Sequence, residues 1–172
     1  MSQDEIVDVV NEQDEILSQV SKKEAHEKGL LHRCVVSEIK DSKGNWILVK
    51  QSASRQDAGQ YVSPVGGHVK AGESVEDALK REAFEEVGLK DFKFEFSGKV
   101  IFNRFVLNRH ENHFFIQYEI FSDEELTLNH ESVEYRKFSM EELRLELKQN
   151  PKLFGDSFHF VVEKLYSNLL DK

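Results

Sequence analysis

Three glutamates lie close together within residues 67–89 of this chain, which read GHVKAGESVEDALKREAFEEVGL. They are Glu82, Glu85 and Glu86. Carboxylate oxygens are hard ligands of the kind that Mg²⁺ and Mn²⁺ bind in proteins, with the remaining ligands supplied by water and substrate phosphates. Like charges four residues apart destabilise a helix by about 0.2–0.5 kcal/mol, and a bound cation removes that penalty. The spacing therefore indicates a divalent-metal site, and the alternative is a solvated acidic surface.

A loop followed by a helix must hold these carboxylates. Ser74 is a suitable N-cap and Gly88 is a suitable left-handed C-terminal stop, so the sequence predicts a helix over Val75–Val87. The apolar stripe that includes Leu79 continues into the first and third glutamates, which therefore share the face that packs inward. Inward-facing carboxylates favour the metal site over the solvated surface.

The same segment resembles the Nudix box, Gx5Ex7REUxEExGU, in which U is an apolar residue. The matching positions are Gly67, Glu73, Arg81, Glu82, Ala83, Glu85, Glu86, Gly88 and Leu89. Only Ala83 is smaller than the residue usual at its position. A pattern of this length at fixed spacing is a specific signal. The resemblance implies a Mg²⁺-dependent (or Mn²⁺-dependent) hydrolase that acts on a diphosphate joined to another moiety.

The resemblance also implies roles for individual residues. The implied metal ligands are Gly67, through its carbonyl, and Glu82, Glu85 and Glu86. Glu73 and Arg81 would pair to brace the loop against the helix, and Gly88 would end that helix. A carboxylate must accept a proton from the attacking water, and the sequence leaves three candidates for this base. They are Glu82, and Glu131 or Glu134 in the loop NHESVEY.

The sequence identifies the residues that contact the substrate less specifically than it identifies the metal ligands. The candidates are Lys50, Arg55 and Tyr61. Lys50 and Arg55 are each expected to bind a phosphate or, alternatively, to be solvated surface residues. The Tyr61 ring is expected to stack on a base or, alternatively, to pack in the core. The expected partner is a small-molecule diphosphate.

A narrower resemblance reaches into the amino-terminal part of the chain. The lead-in EAHEKGLLHR and the run SPVGGHVKAGES are similar to the branch of Nudix proteins related to isopentenyl-diphosphate isomerase. By that resemblance His26, His32 and His68 are candidate ligands of a second metal. Alternatively, His32 is a hydrogen-bonded strand residue and His68 is a loop residue near the substrate. The isomerases carry a cysteine where this chain has Gly66, which disfavours isomerase chemistry. The remaining alternative class is a non-catalytic module that binds a nucleotide metabolite.

The composition of the chain argues against several other classes of function. The chain has 172 residues, a formal net charge of −9 and 39% hydrophobic residues, which suits one domain with its own core. The negative charge argues against binding a nucleic acid polymer or an anionic membrane. The amino terminus lacks the basic, then apolar, pattern of a secretory leader, and Cys34 is the only cysteine, so we expect a cytoplasmic protein and a buried Cys34.

The remaining elements predict an α/β (α+β) fold, which the resemblance specifies as an α/β/α sandwich with a mixed β-sheet. We expect a single domain over residues 1–172, with a hairpin and short helix in 1–30, the box in 67–89 and C-terminal helices in 139–172. The hairpin is a candidate for pairing with a second copy in a homodimer. The expected strands are Glu5–Val10, Glu15–Val20, His32–Ile39, Trp46–Gln51, Phe92–Leu107, His113–Phe121 and Val133–Phe138. The last helix is expected to carry Phe158, Val162, Leu165 and Leu169 on one face.

Overall fold

The computed structural model describes residues 5–170. Residues 1–4 and 171–172 lie outside the described residues. They include the start of the segment on which the leader prediction rests and both ends of the predicted domain. The strands are β1 (Ile6–Val10), β2 (Ile16–Ser21), β3 (His32–Lys40), β4 (Trp46–Gln51), β5 (Tyr61–Val62), β6 (Val65–His68), β7 (Lys93–Val106), β8 (Arg109–Phe121) and β9 (Ser132–Phe138). The helices are α1 (Lys22–Lys28), α2 (Val75–Val87), α3 (Met140–Gln149) and α4 (Asp156–Leu165), with short 3₁₀ turns at Pro151–Leu153 and Ser167–Leu169.

Strand β3 organises the mixed sheet. It runs parallel to β8 along its whole length, antiparallel to β6 on its other side, and contacts β1 and β4 at its two ends. Its side chains alternate between the two faces, as the pleat of a strand requires. Val35 and Ile39 pack with α2, whereas Cys34 and Val36 pack with α3 and α4. The predicted α/β/α sandwich with a mixed sheet is confirmed.

Local sequence explains where α2 begins and ends. The Ser74 hydroxyl accepts a hydrogen bond from the Asp77 amide (3.1 Å), and Gly88 takes the left-handed conformation with φ of 75°. Leu79 and Ala83 are fully buried against the sheet. The predicted bounds of this helix therefore match the structure residue for residue.

The predicted course of the C-terminal helix is wrong at its end. Helix α4 stops at Leu165, and Leu169 lies in the following 3₁₀ turn, although its side chain is buried as expected. Tyr166 leaves helical geometry (φ −132°), and its ring packs edge-on against Trp46 with ring centroids 5.1 Å apart. Its hydroxyl donates to the Ser97 hydroxyl. Tertiary contacts of Tyr166 therefore accompany the end of the helix.

Strands near the site also differ from the prediction. Strand β8 begins at Arg109 rather than His113, because the β7–β8 hairpin turns at Leu107 and Asn108, which both have positive φ. Strands β5 and β6 had no strand signal, since they are short and β6 contains two glycines.

Strand β2 forms an edge of the sheet. Pairing of this edge with a second copy stays a prediction. Among residues 5–170, no helix combines the length and apolar character needed to span a bilayer.

Candidate functional site

A cavity of about 270 Å³ opens between α2 and β6 on one side and α1, β7 and β8 on the other. One wall carries carboxylates, and we call Glu82, Glu86 and Glu131 the acidic wall. Histidines and basic side chains also line the cavity. The lining histidines and basic residues are His26, His68, His113, His130, Lys22, Arg55, Arg104 and Arg109.

Glu82 is the most deeply placed member of the acidic wall. Its side chain is 4% exposed, and its Oε1 accepts a hydrogen bond from the Arg81 guanidinium at 2.7 Å. The carboxylate lies directly against the backbone of Gly67, where any β-carbon would overlap it. A side chain at position 67 would therefore displace the Glu82 carboxylate from its place against the backbone of β6.

Glu86 completes the pair. One of its oxygens accepts a hydrogen bond from the backbone N–H of Gly66 (3.1 Å). Burial raises the pKa of the Glu82 carboxyl, and burial together with the neighbouring Glu82 raises the pKa of Glu86 well above its usual range. Two adjacent carboxylates that resist ionisation in this way are the arrangement that a divalent cation relieves.

Arg81 connects the loop to the helix. Its Nε and one terminal nitrogen donate to the two oxygens of Glu73 (2.8 and 2.9 Å), and the same terminal nitrogen donates to the His68 carbonyl (3.0 Å). The carboxylate of Glu73 also accepts from the Lys70 amide. These contacts are the brace that the resemblance implied, and they raise the pKa of Arg81.

The other predicted acids are placed differently. Glu85 points outward, with 47% of its side chain exposed, and it is not part of the cavity lining. Glu131 lines the cavity and forms an ion pair of 3.0 Å with Arg55. Glu134 lies on β9 away from the cavity and accepts a 2.7 Å hydrogen bond from Tyr61. The structure thus groups Glu82, Glu86 and Glu131, but not the other two acids.

Among the predicted substrate contacts, only Arg55 lines the cavity. The Tyr61 ring is buried and packs edge-on against Phe138, which matches the core alternative. Lys50 lies over the Tyr61 ring and 3.7 Å from Glu134, outside the cavity lining. These last two side chains therefore pack against the core and the surface rather than into the cavity.

Four imidazole rings converge at the bottom of the cavity, and we call them the histidine cluster. They are His26 on α1, His32 on β3, His68 on β6 and His113 on β8. One ring nitrogen from each lies within 4.8 Å of the others. Two buried ring nitrogens, Nδ1 of His26 and Nε2 of His32, have no hydrogen-bond partner among residues 5–170.

The neutral state of the four rings favours metal binding by this cluster. Burial lowers the pKa of His26 to about 4, and burial with mutual repulsion lowers the pKa of His68 and His113 well below the usual range. The rings are therefore neutral near pH 7, which is the form that ligates metals. The Nδ1–H of His32 donates to the Leu30 carbonyl (2.8 Å), so its unpartnered Nε2 carries the lone pair. The donor set fits a borderline transition-metal ion.

His113 was not predicted as a member of the cluster. Its place follows from the parallel register of β3 and β8, in which His32 is directly opposite His113. A signal was present in the sequence, because both strands were predicted with a histidine at the first position. Recognising it required knowing that these two strands pair in parallel, and pairing is not encoded in local sequence.

Comparison with known proteins yields a family and a fold. The NUDIX domain family matches residues 30–158. The uncharacterized Nudix hydrolase SCO1686 of Streptomyces coelicolor is 39% identical over 101 residues, which are 55% of this chain and 56% of that protein. Isopentenyl-diphosphate Delta-isomerase 2 of Photorhabdus laumondii is 36% identical over 86 residues, 49% of each chain. The matches thus span about half the length of these curated relatives.

Solved structures agree with the architecture. The crystal structure of DR0079 from Deinococcus radiodurans superposes with a TM-score of 0.72 at 22% identity and covers 92% of this chain and 98% of its own. The structure of MutT protein from Methanosarcina mazei Go1 gives a TM-score of 0.64 at 24% identity, over 82% of this chain and 96% of its own. At these identities the likeness shows the fold alone.

Proposed function

Because the chain belongs to the NUDIX domain family, we propose that it is a metal-dependent hydrolase that cleaves the diphosphate linkage of a small molecule, such as a compound linked to a nucleoside diphosphate. The single observation that carries the proposal is the pair of adjacent carboxylates on α2, the buried Glu82 and the partly buried Glu86, which face the cavity beneath the backbone of Gly66 and Gly67. A cation bound between two carboxyls that resist ionisation would offset the cost of charging both.

Mg²⁺ or Mn²⁺ fits this donor set, because the donors are carboxylate and carbonyl oxygens. The proposed ligands are Glu82, Glu86 and the Gly67 carbonyl. Glu85 is proposed as an outer ligand on the Nudix-box resemblance alone, since its side chain is 47% exposed and is not part of the cavity lining. The bound ion would lower the pKa of the attacking water and neutralise charge on the phosphates.

Glu82 is the proposed general base. Burial raises its pKa, which makes the carboxylate a stronger proton acceptor. Arg81 occupies Oε1, so Oε2 is the oxygen that accepts the proton from water. Glu131 faces the same cavity, but its carboxylate is held by Arg55, and Glu134 is turned towards Tyr61. Water attacks one phosphorus, the bridging P–O bond breaks, and the departing phosphate leaves with the bridging oxygen.

A product screen tests the function. Purified protein is incubated with nucleoside diphosphates, nucleotide sugars, dinucleotides, oxidised nucleotides and isopentenyl diphosphate, with Mg²⁺, with Mn²⁺ or with a chelator, and the products are separated by ion-exchange chromatography. We expect metal-dependent cleavage that Glu86→Gln abolishes and that Glu76→Gln, on the exposed face of the same helix, preserves. Isomerised isopentenyl diphosphate would favour the isomerase alternative, and binding without cleavage would favour the binding module.

We further propose that the histidine cluster holds a second, transition-metal ion. The support is the convergence of four neutral rings with two unpartnered buried nitrogens among residues 5–170. Protein loaded with Zn²⁺ or Mn²⁺ and then desalted should retain about one ion per chain by mass spectrometry of the metal. His32→Gln should lose most of that ion, and His159→Gln, which lies on α4 outside the cluster, should keep it. Equal retention in both variants would refute the site.

A further inference from the structure

Strand β7 forms a second edge of the sheet. Within the described residues it pairs with β8 on one side, and no strand lies on its other side. The N–H and C=O groups of residues 92–97 make no backbone hydrogen bond outside the ladder with β8 among residues 5–170. An edge of this kind presents unpaired N–H and C=O groups that a strand of another chain can bind. The edge of β7 is therefore open to a partner strand.

Residues 92–96, where this strand begins, read FKFEF, and we call them the FKFEF segment. Side chains of a strand alternate between the two faces of a sheet, so the three phenylalanine rings share one face and the two charges share the other. The centroids of the Phe94 and Phe96 rings each lie 5.8 Å from that of the Tyr118 ring. Phe96 nevertheless remains 57% exposed. The segment thus leaves apolar surface uncovered along a free edge.

The two charged side chains of the segment, Lys93 and Glu95, are exposed and have no ion pair within 4.0 Å among residues 5–170. On β8, Glu119 lies directly opposite Glu95. The carboxylate of Glu119 is already bound by the Lys40 ammonium group at 2.9 Å. Like charges directly opposite each other destabilise a strand pair. Glu95 therefore lacks a cation, and the free side of β7 is where a partner strand can supply one.

A second copy of the chain supplies that cation when two β7 strands pair antiparallel around Phe94. In this register Lys93 lies opposite the partner's Glu95, and Glu95 lies opposite the partner's Lys93. Phe94 lies opposite its own counterpart, and Phe92 lies opposite the partner's Phe96. Aromatic pairs and opposite charges that face each other across two strands both stabilise a sheet. The segment therefore carries the complement of its own charges and of its own rings.

Other registers of the same segment do not fit. Centring the pair on Lys93 or on Glu95 places two like charges opposite each other. A shift by one residue brings phenylalanines opposite charges and exchanges the two faces. A bulge after Phe96 ends the regular segment, so the pairing stays short. The segment is therefore complementary to a second copy of itself in one register.

We propose that the FKFEF segment is the interface of a homodimer in which the β7 edges of two copies pair antiparallel, centred on Phe94. The arrangement is isologous and closed, because each copy uses the same edge once. None of residues 92–96 lines the cavity, so the dimer leaves the site open and does not depend on the proposed hydrolase function. A short interface of this kind is expected to have a dissociation constant in the micromolar range.

Charge reversal tests both the dimer and its register. Sedimentation equilibrium is measured from about 5 to about 500 µM protein, a range around the expected dissociation constant. The samples are wild type, Lys93→Glu, Glu95→Lys, the double variant that carries both changes, and an equimolar mixture of the two single variants. Leu17→Lys is the matched control, because Leu17 is 64% exposed on β2, the other edge of the sheet. Melting temperatures check that every variant is folded.

Wild type should dimerise, and each single variant should bind itself about tenfold to hundredfold more weakly, because both cross-strand charge pairs become repulsive. The double variant and the mixture should recover the affinity of wild type to within about threefold, because each charge again faces an opposite one. Leu17→Lys should dimerise as wild type does.

Three outcomes overturn the proposal. The first is a wild type that stays monomeric over the whole concentration range. The second is normal dimerisation of both single variants, and if Leu17→Lys then dissociates the dimer, the interface lies at β2 instead. The third is that the single variants dissociate but do not bind each other in the mixture, which excludes the antiparallel register centred on Phe94.

Discussion

The acidic wall and the histidine cluster line one cavity but are assembled in opposite ways. Glu82 and Glu86 lie one turn apart on α2, and the loop before that helix supplies the contacting backbone. The four histidines come from four elements, and His26 and His113 are 87 residues apart in sequence although their Nε2 atoms are 3.3 Å apart. A site built on one helix is specified by local spacing, whereas the cluster exists only after the sheet has formed.

The two groups also differ in the way that burial affects them. Burial raises the pKa of Glu82, and burial together with the neighbouring Glu82 raises the pKa of Glu86, so a bound cation would favour the charged form of both carboxyls. Burial makes the histidines neutral, and in this form they can bind a metal without further change. Hard oxygen donors and imidazole nitrogens prefer different ions. The comparison therefore predicts two sites that can be loaded and emptied separately.

The largest expected effect is that of removing one charge from the acidic wall. Glu82→Gln should lower turnover about 10²- to 10⁴-fold, because the variant loses both the proposed base and a metal ligand. The fold should be kept, since the amide is isosteric and the variant removes one of two adjacent buried charges. Turnover is measured on the best substrate of the screen, and thermal melting is measured in parallel.

Glu85→Gln is the matched control on the same helix. Because its side chain is 47% exposed and points away from the cavity, we expect a loss below about tenfold. Equal losses in the two variants would mean that the exposed glutamate moves inward when the site is loaded. Unchanged turnover in Glu82→Gln would remove the basis for placing the chemistry at this wall.

The same contrast explains what the sequence could predict. Helix α2 and its caps depend on residues near one another in the chain, so local sequence was sufficient to predict them. The pairing of Glu73 with Arg81 was implied by the resemblance to the Nudix box. His113 depends on the parallel register of β3 and β8, which no local pattern specifies. The end of α4 depends on Tyr166 packing against Trp46, a contact across the fold. Sequence reasoning thus predicted what is local and did not predict what needs distant pairing.

A third buried carboxyl lies outside both groups and sharpens the comparison. Glu38 on β3 is fully buried, and one oxygen accepts hydrogen bonds from Ser63 (2.7 Å) and Gln117 (2.8 Å). Its other oxygen has no partner among residues 5–170. Burial raises its pKa to about 7, from 4.5 for an ordinary glutamate. Unlike Glu82 and Glu86, Glu38 has a neighbouring carboxylate, Glu119, that is already paired with a cation, Lys40 (2.9 Å).

Glu38 should make stability fall as pH rises. Between pH 4.5 and about 7 the folded protein holds a proton on Glu38 that the unfolded chain has lost, so the free energy of unfolding decreases through this window. The difference in this free energy between wild type and Glu38→Gln should change by about 3 kcal/mol, measured by urea unfolding at a series of pH values. Taking the difference between the free energies of unfolding of wild type and variant cancels the contribution of the histidines, because both proteins contain them.

Addition of Mg²⁺ distinguishes the contribution of Glu38 to stability from that of the acidic wall. Both wild type and Glu38→Gln keep Glu82 and Glu86, so Mg²⁺ should raise the stability of the two proteins equally and leave their difference unchanged. Parallel stability curves for the two proteins without Mg²⁺ would show that Glu38 titrates normally. A difference that disappears with Mg²⁺ would instead assign Glu38 to the metal site.

The smallest expected effects come from the glycines that end the helices of the two sites. Gly88 ends α2 with φ of 75°, and Gly29 ends α1, which carries His26, with φ of 65°. An alanine in this conformation costs about 1–2 kcal/mol in stability. Gly44 isolates that backbone cost, because its φ is 82° and no heavy atom of the described residues would lie within 4 Å of an added β-carbon.

Urea unfolding of Gly44→Ala, Gly88→Ala and Gly29→Ala should therefore give increasing losses of stability. At Gly88 the new carbon would lie 3.0 Å from the Thr127 side chain, which must shift slightly, and at Gly29 it would overlap the His110 ring, which must move away. The His110 ring stacks on Phe105 and forms a hydrogen bond with the Asn103 side chain, so its displacement disturbs the β7–β8 hairpin. The loss in Gly29→Ala should exceed that in Gly44→Ala, because only the former adds a collision to the backbone strain. Equal losses in all three variants would mean that the helix ends tolerate the added carbon and that backbone conformation alone sets the requirement for glycine.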